Sequence, residues 1–311
     1  MKRVVTNFGA SVRARLLAVA QKENVQFEYI LLRYALERFL YRLGFSEYAD
    51  RFILKGATAF AVWLGPFCRV TRDVDVEAFG NISTKELISV FKNVCLIPYE
   101  EDAVEFDVET ISCEEIKKDD KYPGSRIRFN ASVGGARVTL QFDVAAGDSV
   151  YPIAEKMEYP TLLDHESPKL KIYPRYTVVA EKFSTMIHRG LLNSRIKDYY
   201  DIWLLSESFS FDGNILQEAI SRTFLRRNVE IPNQLPLALS IEFYKQPSRE
   251  AQWRSFIRQS GVDKVPRSLE EAVNQIWRFL SPVTAPKGFT DMEWSVGLKM
   301  WRLMQMKNDS I

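Results

Sequence analysis

Apolar residues near the start of the chain recur at helical spacing. Val12, Leu16, Leu17 and Ala20 form one stripe; Ile30, Leu31, Tyr34, Ala35, Phe39 and Leu43 form another. Two helices joined near residues 22–26 are predicted, with Ser11 as the cap of the first. The period then shortens. A brief apolar run at 52–54 leads into Lys55-Gly56-Ala57-Thr58 and a helical stretch that Gly65-Pro66 ends. Arg72-Asp73-Val74-Asp75-Val76 alternates polar and apolar, as a strand does. An amphipathic helix is predicted over 83–94, and strands over 104–111, 126–133 and 137–144. Gly134-Gly135 separates the last two strands and suits a tight hairpin, because glycine accepts positive φ. Beyond a proline-punctuated loop the pattern is helical, over 178–191, 196–206, 213–227, 236–246, 249–259 and 269–280. A last helix is predicted over 292–306. Trp253, Trp277, Trp294 and Trp301 read as core positions of these helices. The layout is a helical segment over 1–50, an α/β core with a mixed sheet over 51–170, and a helical domain over 171–311.

Composition narrows the class. Of 311 residues, 46% are hydrophobic and 26% charged, which is globular and argues against disorder. With 42 Lys+Arg against 40 Asp+Glu, a net charge of +2 excludes a uniformly basic nucleic-acid coat and an acidic tail. Charge is uneven along the chain. Residues 1–42 lean positive, and 171–200 place Lys171, Arg175, Lys182, Arg189, Arg195 and Lys197 against Glu181 and Asp198. Arg222, Arg226 and Arg227 extend this second basic stretch, a candidate phosphate-facing surface. Three scattered cysteines build no disulfide framework, and two histidines cannot form a three-histidine zinc site. No apolar run is long enough for a membrane span, and Arg13 and Arg15 interrupt any signal-like segment, so a cytoplasmic protein is expected.

Candidate chemistry centres on Asp73 and Asp75. Residues i and i+2 of a strand share a face, so the two carboxylates converge at about 6–7 Å. Paired hard oxygen donors suit Mg²⁺, which takes one or two carboxylates together with phosphate oxygens. Upstream, Lys55, Gly56, Ala57 and Thr58 open a helix, where small residues let backbone N–H groups approach phosphate. Downstream, Asp143 follows Val138, Leu140 and Phe142 on the opposite strand face, and a third carboxylate beside the pair would call for divalent cations. Arg72 and Arg69 flank the pair; each either reaches a triphosphate or partners Glu77 or Asp73. Lys182 and Asp198 fall on successive helices, where a salt bridge among Lys182, Asp198 and Asp201 is the plainer reading. Motifs of α/β-hydrolases, P-loop proteins and zinc proteases are absent.

A small-residue turn, an Asp-x-Asp strand and a later strand aspartate resemble the polymerase-β-like nucleotidyltransferase core. The likeness extends along most of the chain. SVRARLL (11–17), RYALERFLYRL (33–43), RFILKGATAFAVW (51–63), RVTRDVDVEAFG (69–80), LQFDVAAGD (140–148) and VVAEKFSTMIHRGLLNSRIKDYYDIWLL (178–205) are similar to the AbiEii/AbiGii nucleotidyltransferase toxins of type IV toxin–antitoxin and abortive-infection systems. The resemblance implies an α+β fold, with that core between an N-terminal helical segment and a C-terminal helical bundle. It implies catalytic Asp73, Asp75, Asp143, Lys182 and Asp198, two Mg²⁺ ions on the three strand aspartates, and a phosphate site at Lys55, Gly56, Ala57, Thr58 and Arg72. It further implies a nucleoside triphosphate substrate, the 3′ end of tRNA as acceptor, and a separately encoded winged-helix antitoxin. A protein or small-molecule hydroxyl as acceptor, and a non-catalytic binding protein, are the alternatives. One departure is visible: where many relatives have Gly-Ser or Gly-Gly, this chain has Gly56-Ala57, which removes a hydroxyl from the phosphate turn.

Overall fold

A computed structural model describes residues 7–68, 71–118, 122–260, 262, 264–285, 289 and 291–304. They form two compact units. One holds the chain through Gly147 together with Glu155–Tyr173; the other holds Asp148–Ala154 and everything described from Pro174 onward.

The first unit runs α1 (Phe8–Lys22), α2 (Phe27–Phe45), β1 (Phe52–Lys55), α3 (Gly56–Leu64), β2 (Val74–Ala78), α4 (Thr84–Cys95), β3 (Val104–Lys118), β4 (Tyr122–Val133), β5 (Ala136–Ala145), β6 (Glu155–Glu158) and β7 (Lys169–Ile172). Its strands make one mixed sheet in the order β3-β4-β5-β2-β1-β7-β6. β2 lies parallel to β5 and β1 parallel to β7, while the other neighbours are antiparallel. Alternation on β5 sends Leu140, Phe142 and Val144 into the core. There Phe142 meets Phe39 of α2 at 4.7 Å and Phe91 of α4 at 5.2 Å between ring centroids. Such pairs each add about 0.5–1.5 kcal/mol beyond area burial. Val12, Leu16 and Ala20 of α1 join the same core, so the N-terminal helices pack with the sheet.

α1 begins earlier than the sequence suggests. Asn7, and not Ser11, is its cap, accepting a hydrogen bond from the Ala10 N–H at 2.9 Å. Asn caps as well as Ser, and the earlier start adds a helical turn. Gly134 and Gly135 make the β4–β5 turn at φ of +53° and +89°. A side chain on Gly134 would collide with the backbone of Gly9 in α1, so this glycine is needed for both conformation and space.

Among the described residues, the positive lean of residues 1–42 lies only partly at the surface. Arg13 and Arg15 are exposed, but Arg33, Arg38 and Arg42 of α2 are buried. Asp102 is the counterpart of Arg38 and Arg42. It accepts from Arg38 Nε at 3.2 Å, from Arg42 at 2.8 and 3.3 Å, and from the Val104 N–H at 3.0 Å. Glu37, also buried, accepts from Arg38 at 3.4 Å and from the Leu162 N–H at 2.7 Å. Burial pushes the Glu37 carboxyl up to about 7, against those partners. This network ties α2 to the segments around residues 102 and 162. Replacing Asp102 by Asn leaves buried Arg42 without a counter-charge and Arg38 with Glu37 alone, at a cost of about 3 kcal/mol or more. A lowered denaturation midpoint checks this; an unchanged midpoint would show that the network adds no stability.

The second unit comprises α5 (Arg175–Arg189), α6 (Ile196–Ser208), β8 (Phe211–Asp212), α7 (Gly213–Arg227), α8 (Ile241–Tyr244), α9 (Pro247–Ser260), α10 (Leu269–Leu280), β9 (Met292–Ser295) and β10 (Met300–Leu303). Two expectations change here. The helix expected over 236–246 is broken at Ser240, whose extended backbone separates a 3₁₀ turn from the short α8. The helix expected over 292–306 is a hairpin in its described part, joined to β8 as a three-stranded sheet. Trp294 and Trp301 are cross-strand partners there, not successive positions on a helix face. Their indoles donate to Ser206 O at 2.7 Å and Phe279 O at 2.9 Å, so each polar tip is satisfied. Among the described residues no helix is long and apolar enough to cross a membrane.

Candidate active site

Register brings the strand candidates together. On the first unit's sheet, Lys55 of β1 is the Cα partner of Asp75 on β2, Asp75 partners Asp143 on β5, and Asp143 partners Arg126 on β4. Register partners share a sheet face, so the four side chains stand in one cross-strand row. Asp73 lies two residues before Asp75 and accepts from the Thr71 hydroxyl at 2.8 Å. The row alternates in sign only at its ends; its middle is two adjacent carboxylates.

Gly56 carries the close approach at this row. Its φ is +63°. A Cβ at this position would collide with Asp75 Oδ2 and stand 2.9 Å from Asp75 Cγ. The first residue of α3 therefore lies against the Asp75 carboxylate, and only glycine leaves room. Of its neighbours, Ala57 and Thr58 are buried, the Thr58 hydroxyl with no hydrogen-bond partner among the described residues. Lys55 is also buried, with Nζ 2.6 Å from Glu77 Oε2, and Glu77 is fully enclosed. Lys55, expected at phosphate, has its ammonium beside a carboxylate. Arg72 is exposed beside Asp73, and Arg69 lies outside the described residues.

Asp143 is held by Arg126. Nε meets Oδ1 and Nη2 meets Oδ2, both at 2.8 Å, a bidentate pair. The hydrogen bond to Asp143 raises the Arg126 pKa most; burial opposes it, and the charges of Asp143, Glu114 and Asp73 add to it. Among the described residues no three His, Cys, Asp or Glu side chains converge closely enough to hold a metal ion. Asp73, just before β2, and Asp75, on it, both carry hard carboxylate oxygens, the donor type that suits a hard divalent cation. Asp143 sits in register to join them, but both of its oxygens face a guanidinium.

The second unit gathers the helix candidates separately. Lys182 Nζ on α5 lies 2.6 Å from Asp198 Oδ1 and 2.8 Å from Asp201 Oδ2 on α6. Arg195 Nε reaches Asp198 Oδ2 at 2.7 Å. Burial alone would raise the Asp198 carboxyl, but Lys182 and Arg195 override it and hold it well below the usual carboxylate range. The salt bridge read as the plainer alternative is thus present, with Arg195 added.

A family model, the nucleotidyl transferase AbiEii toxin of type IV toxin–antitoxin systems, matches residues 38–275. The chain belongs to the AbiEii family. It is a nucleotidyltransferase, and its fold is α+β. A proposed nucleotidyltransferase from H. pylori is 12% identical, with 84% of this chain and 94% of that one covered at a TM-score of 0.47. JHP933 from Helicobacter pylori is 13% identical, with coverage of 80% and 87% at a TM-score of 0.44. No curated protein matches the chain.

Arg126 is not among the residues that the sequence singles out. The signal was present: Arg126 stands eight residues before Gly134, and Asp143 eight after Gly135, so a two-residue turn makes them face each other. The basic stretch at 171–227 also changes character. Lys171 pairs with Asp50, Arg222 with Glu218, and Arg227 with Asp148 and Glu181, while Lys182 and Arg195 share Asp198. Asp148, read as a turn residue, is one of these ion-pair partners.

Gly56→Ala tests the crowding at Asp75. A non-glycine residue in the left-handed region costs about 1–2 kcal/mol, and the clash adds to it. The stability loss should shrink when Asp75→Ala is already present. Equal losses in both backgrounds, read by denaturation, would show that Gly56 and Asp75 are not coupled.

Proposed function

We propose that this AbiEii-family enzyme moves a nucleoside monophosphate from a nucleoside triphosphate onto an acceptor hydroxyl, with the 3′ end of tRNA as acceptor and arrested translation as the result. The observation that carries this reading is the register of Asp75 with Asp143, with Asp73 beside them and the start of α3 against Asp75. Asp73, Asp75 and Asp143 would hold Mg²⁺, two ions in this reading, which would neutralise triphosphate charge at the row. The acceptor oxygen attacks the α-phosphorus in line, forming one P–O bond as the bond to the departing pyrophosphate breaks. Its proton passes to a carboxylate of the row, Asp143 being the candidate base.

Lys55, Gly56, Ala57, Thr58 and Arg72 are proposed to line the phosphate end. Exposed Arg72 and the backbone at Gly56 and Ala57 suit that role best, since Lys55 is engaged by Glu77. Lys182 is proposed to stabilise phosphate charge and Asp198 to orient it. Support comes from the two carboxylates that fix Lys182 Nζ in place. The tRNA acceptor, a cytoplasmic site of action and a separately encoded winged-helix antitoxin follow from the family resemblance.

The test is transfer of label from each nucleoside triphosphate to total tRNA, with Mg²⁺ and without. Asp73→Ala and Asp75→Ala should each lower transfer by about 10²-fold or more, the scale of losing one main electrostatic contributor. Undiminished transfer by both variants overturns the carboxylate assignment. Label on protein or a small molecule, with tRNA unlabelled, overturns the acceptor.

A further inference from the structure

Asp143 is the member of the row that is least ready for the chemistry proposed above. Its side chain is 4% exposed and both oxygens accept from Arg126, with Gln141 Nε2 a further 3.4 Å from Oδ1. The Arg126 side chain is 28% exposed, so its guanidinium reaches solvent and can turn away without crossing the core. A second seat lies beside it: Glu114 of β3 is the register partner of Arg126, and its half-exposed carboxylate is paired with Arg128 at 2.7 Å.

We infer that Arg126 is a built-in counter-cation: it holds Asp143 in a resting arrangement and must release it, toward Glu114, before Asp143 can join Asp73 and Asp75 around a divalent ion. This inference rests on the metal-dependent transfer proposed above. Three points support it. Without Arg126, Asp143 would be a nearly enclosed carboxylate in register with a second carboxylate, an arrangement that needs a cation. With Arg126 in place, the described carboxylates do not converge as ligands. The neighbouring Arg128 does not share the role, since it bonds Gln141 Oε1 at 2.9 Å and Glu114, and not Asp143. Arg126 is thus a positioning residue, exchanging one internal positive charge for the two of a metal ion. No covalent bond changes in this step.

Direct binding of Mn²⁺ without nucleotide, followed by electron paramagnetic resonance and calorimetry, tests it on the full chain. Arg126→Gln should bind Mn²⁺ on the order of tenfold tighter than the wild type, the scale of removing one charge-assisted competitor. Arg128→Gln removes the same net charge one register step away and should change the affinity by less than about twofold. Adding Asp75→Asn to Arg126→Gln should abolish the tight site. Binding by Arg126→Gln no tighter than wild type, or equal tightening by Arg128→Gln, overturns the latch. In that case Asp75-dependent Mn²⁺ binding by the wild type shows that the metal reading survives; its absence shows that both fail. Should Arg126→Gln not fold, guanidinium NMR of the wild type decides. The Arg126 Nε–H signal must shift as Mg²⁺ saturates, and a signal that stays in place overturns the inference.

Discussion

Two carboxylates on neighbouring strands, Asp75 and Asp143, impose the constraint around which the first unit is arranged. Neighbouring strands lie about 4.8 Å apart, and two unit charges about 5 Å apart repel by about 3 kcal/mol at an effective dielectric of 20. A fold that keeps both must supply positive charge along the same row. Arg126 stands on the far side of Asp143 and spends both arms of its guanidinium there. On the other side Lys55 is drawn diagonally to Glu77, so its charge is shared with a third, enclosed carboxylate. Arg126 and Lys55 are therefore each committed to a particular acid of this sheet.

Backbone geometry makes this crowding unavoidable. β2 sits between β1 and β5, antiparallel to one and parallel to the other, and both registers place an ionisable residue opposite Asp75. The positive φ of Gly56 then turns the chain from β1 straight into α3 and sets its first turn on the Asp75 carboxylate. A helix N-terminus beside an anion is favourable in its own right, because unpaired N–H groups point at the charge. The same contact places backbone donors next to the carboxylates, which is the juxtaposition that triphosphate recognition uses. The hairpin at Gly134-Gly135 closes the arrangement from the other side by fixing Arg126 against Asp143. Three local features, a left-handed glycine, an alternating strand and a two-residue turn, thus converge on one row.

Those features are also the ones most legible in the sequence. Alternation at 72–76 and 137–144 shows which side chains share a face, and the paired glycines specify the hairpin. Helices at 213–227 and 269–280 are readable to the residue, because both carry strong caps, Asp212 and Ser268. What escaped was pairing between distant segments. Nothing local says that Lys55 will be consumed by Glu77, or that Trp294 and Trp301 will face each other across strands. Seven residues apart, two tryptophans fit a helix of period 3.6 about as well as a hairpin with a short turn, and only the contacts with Ser206 and Phe279 decide between them.

Charge shows the same limit from another direction. Cations were easy to count along the chain, and the stretches at 1–42 and 171–227 looked like surfaces made for phosphate. In the fold, Arg33, Arg38 and Arg42 lie in the interior, with Asp102 binding two of them, and Lys182, Arg195 and Arg227 are bound to acids within the second unit. A cation already engaged by a carboxylate adds little to a general attraction for polyanions, although it can still meet a single phosphate set beside it, as proposed for Lys182. Affinity for nucleic acid scales with the number of phosphates neutralised. Any such contact by this chain must therefore come from cations outside these pairs, such as Arg72 beside the carboxylate row and Lys197 at the start of α6. Among the described residues, much of the near balance of acids and bases is met by pairing within the fold, and Arg126 is notable because its partner, Asp143, is itself a candidate site residue.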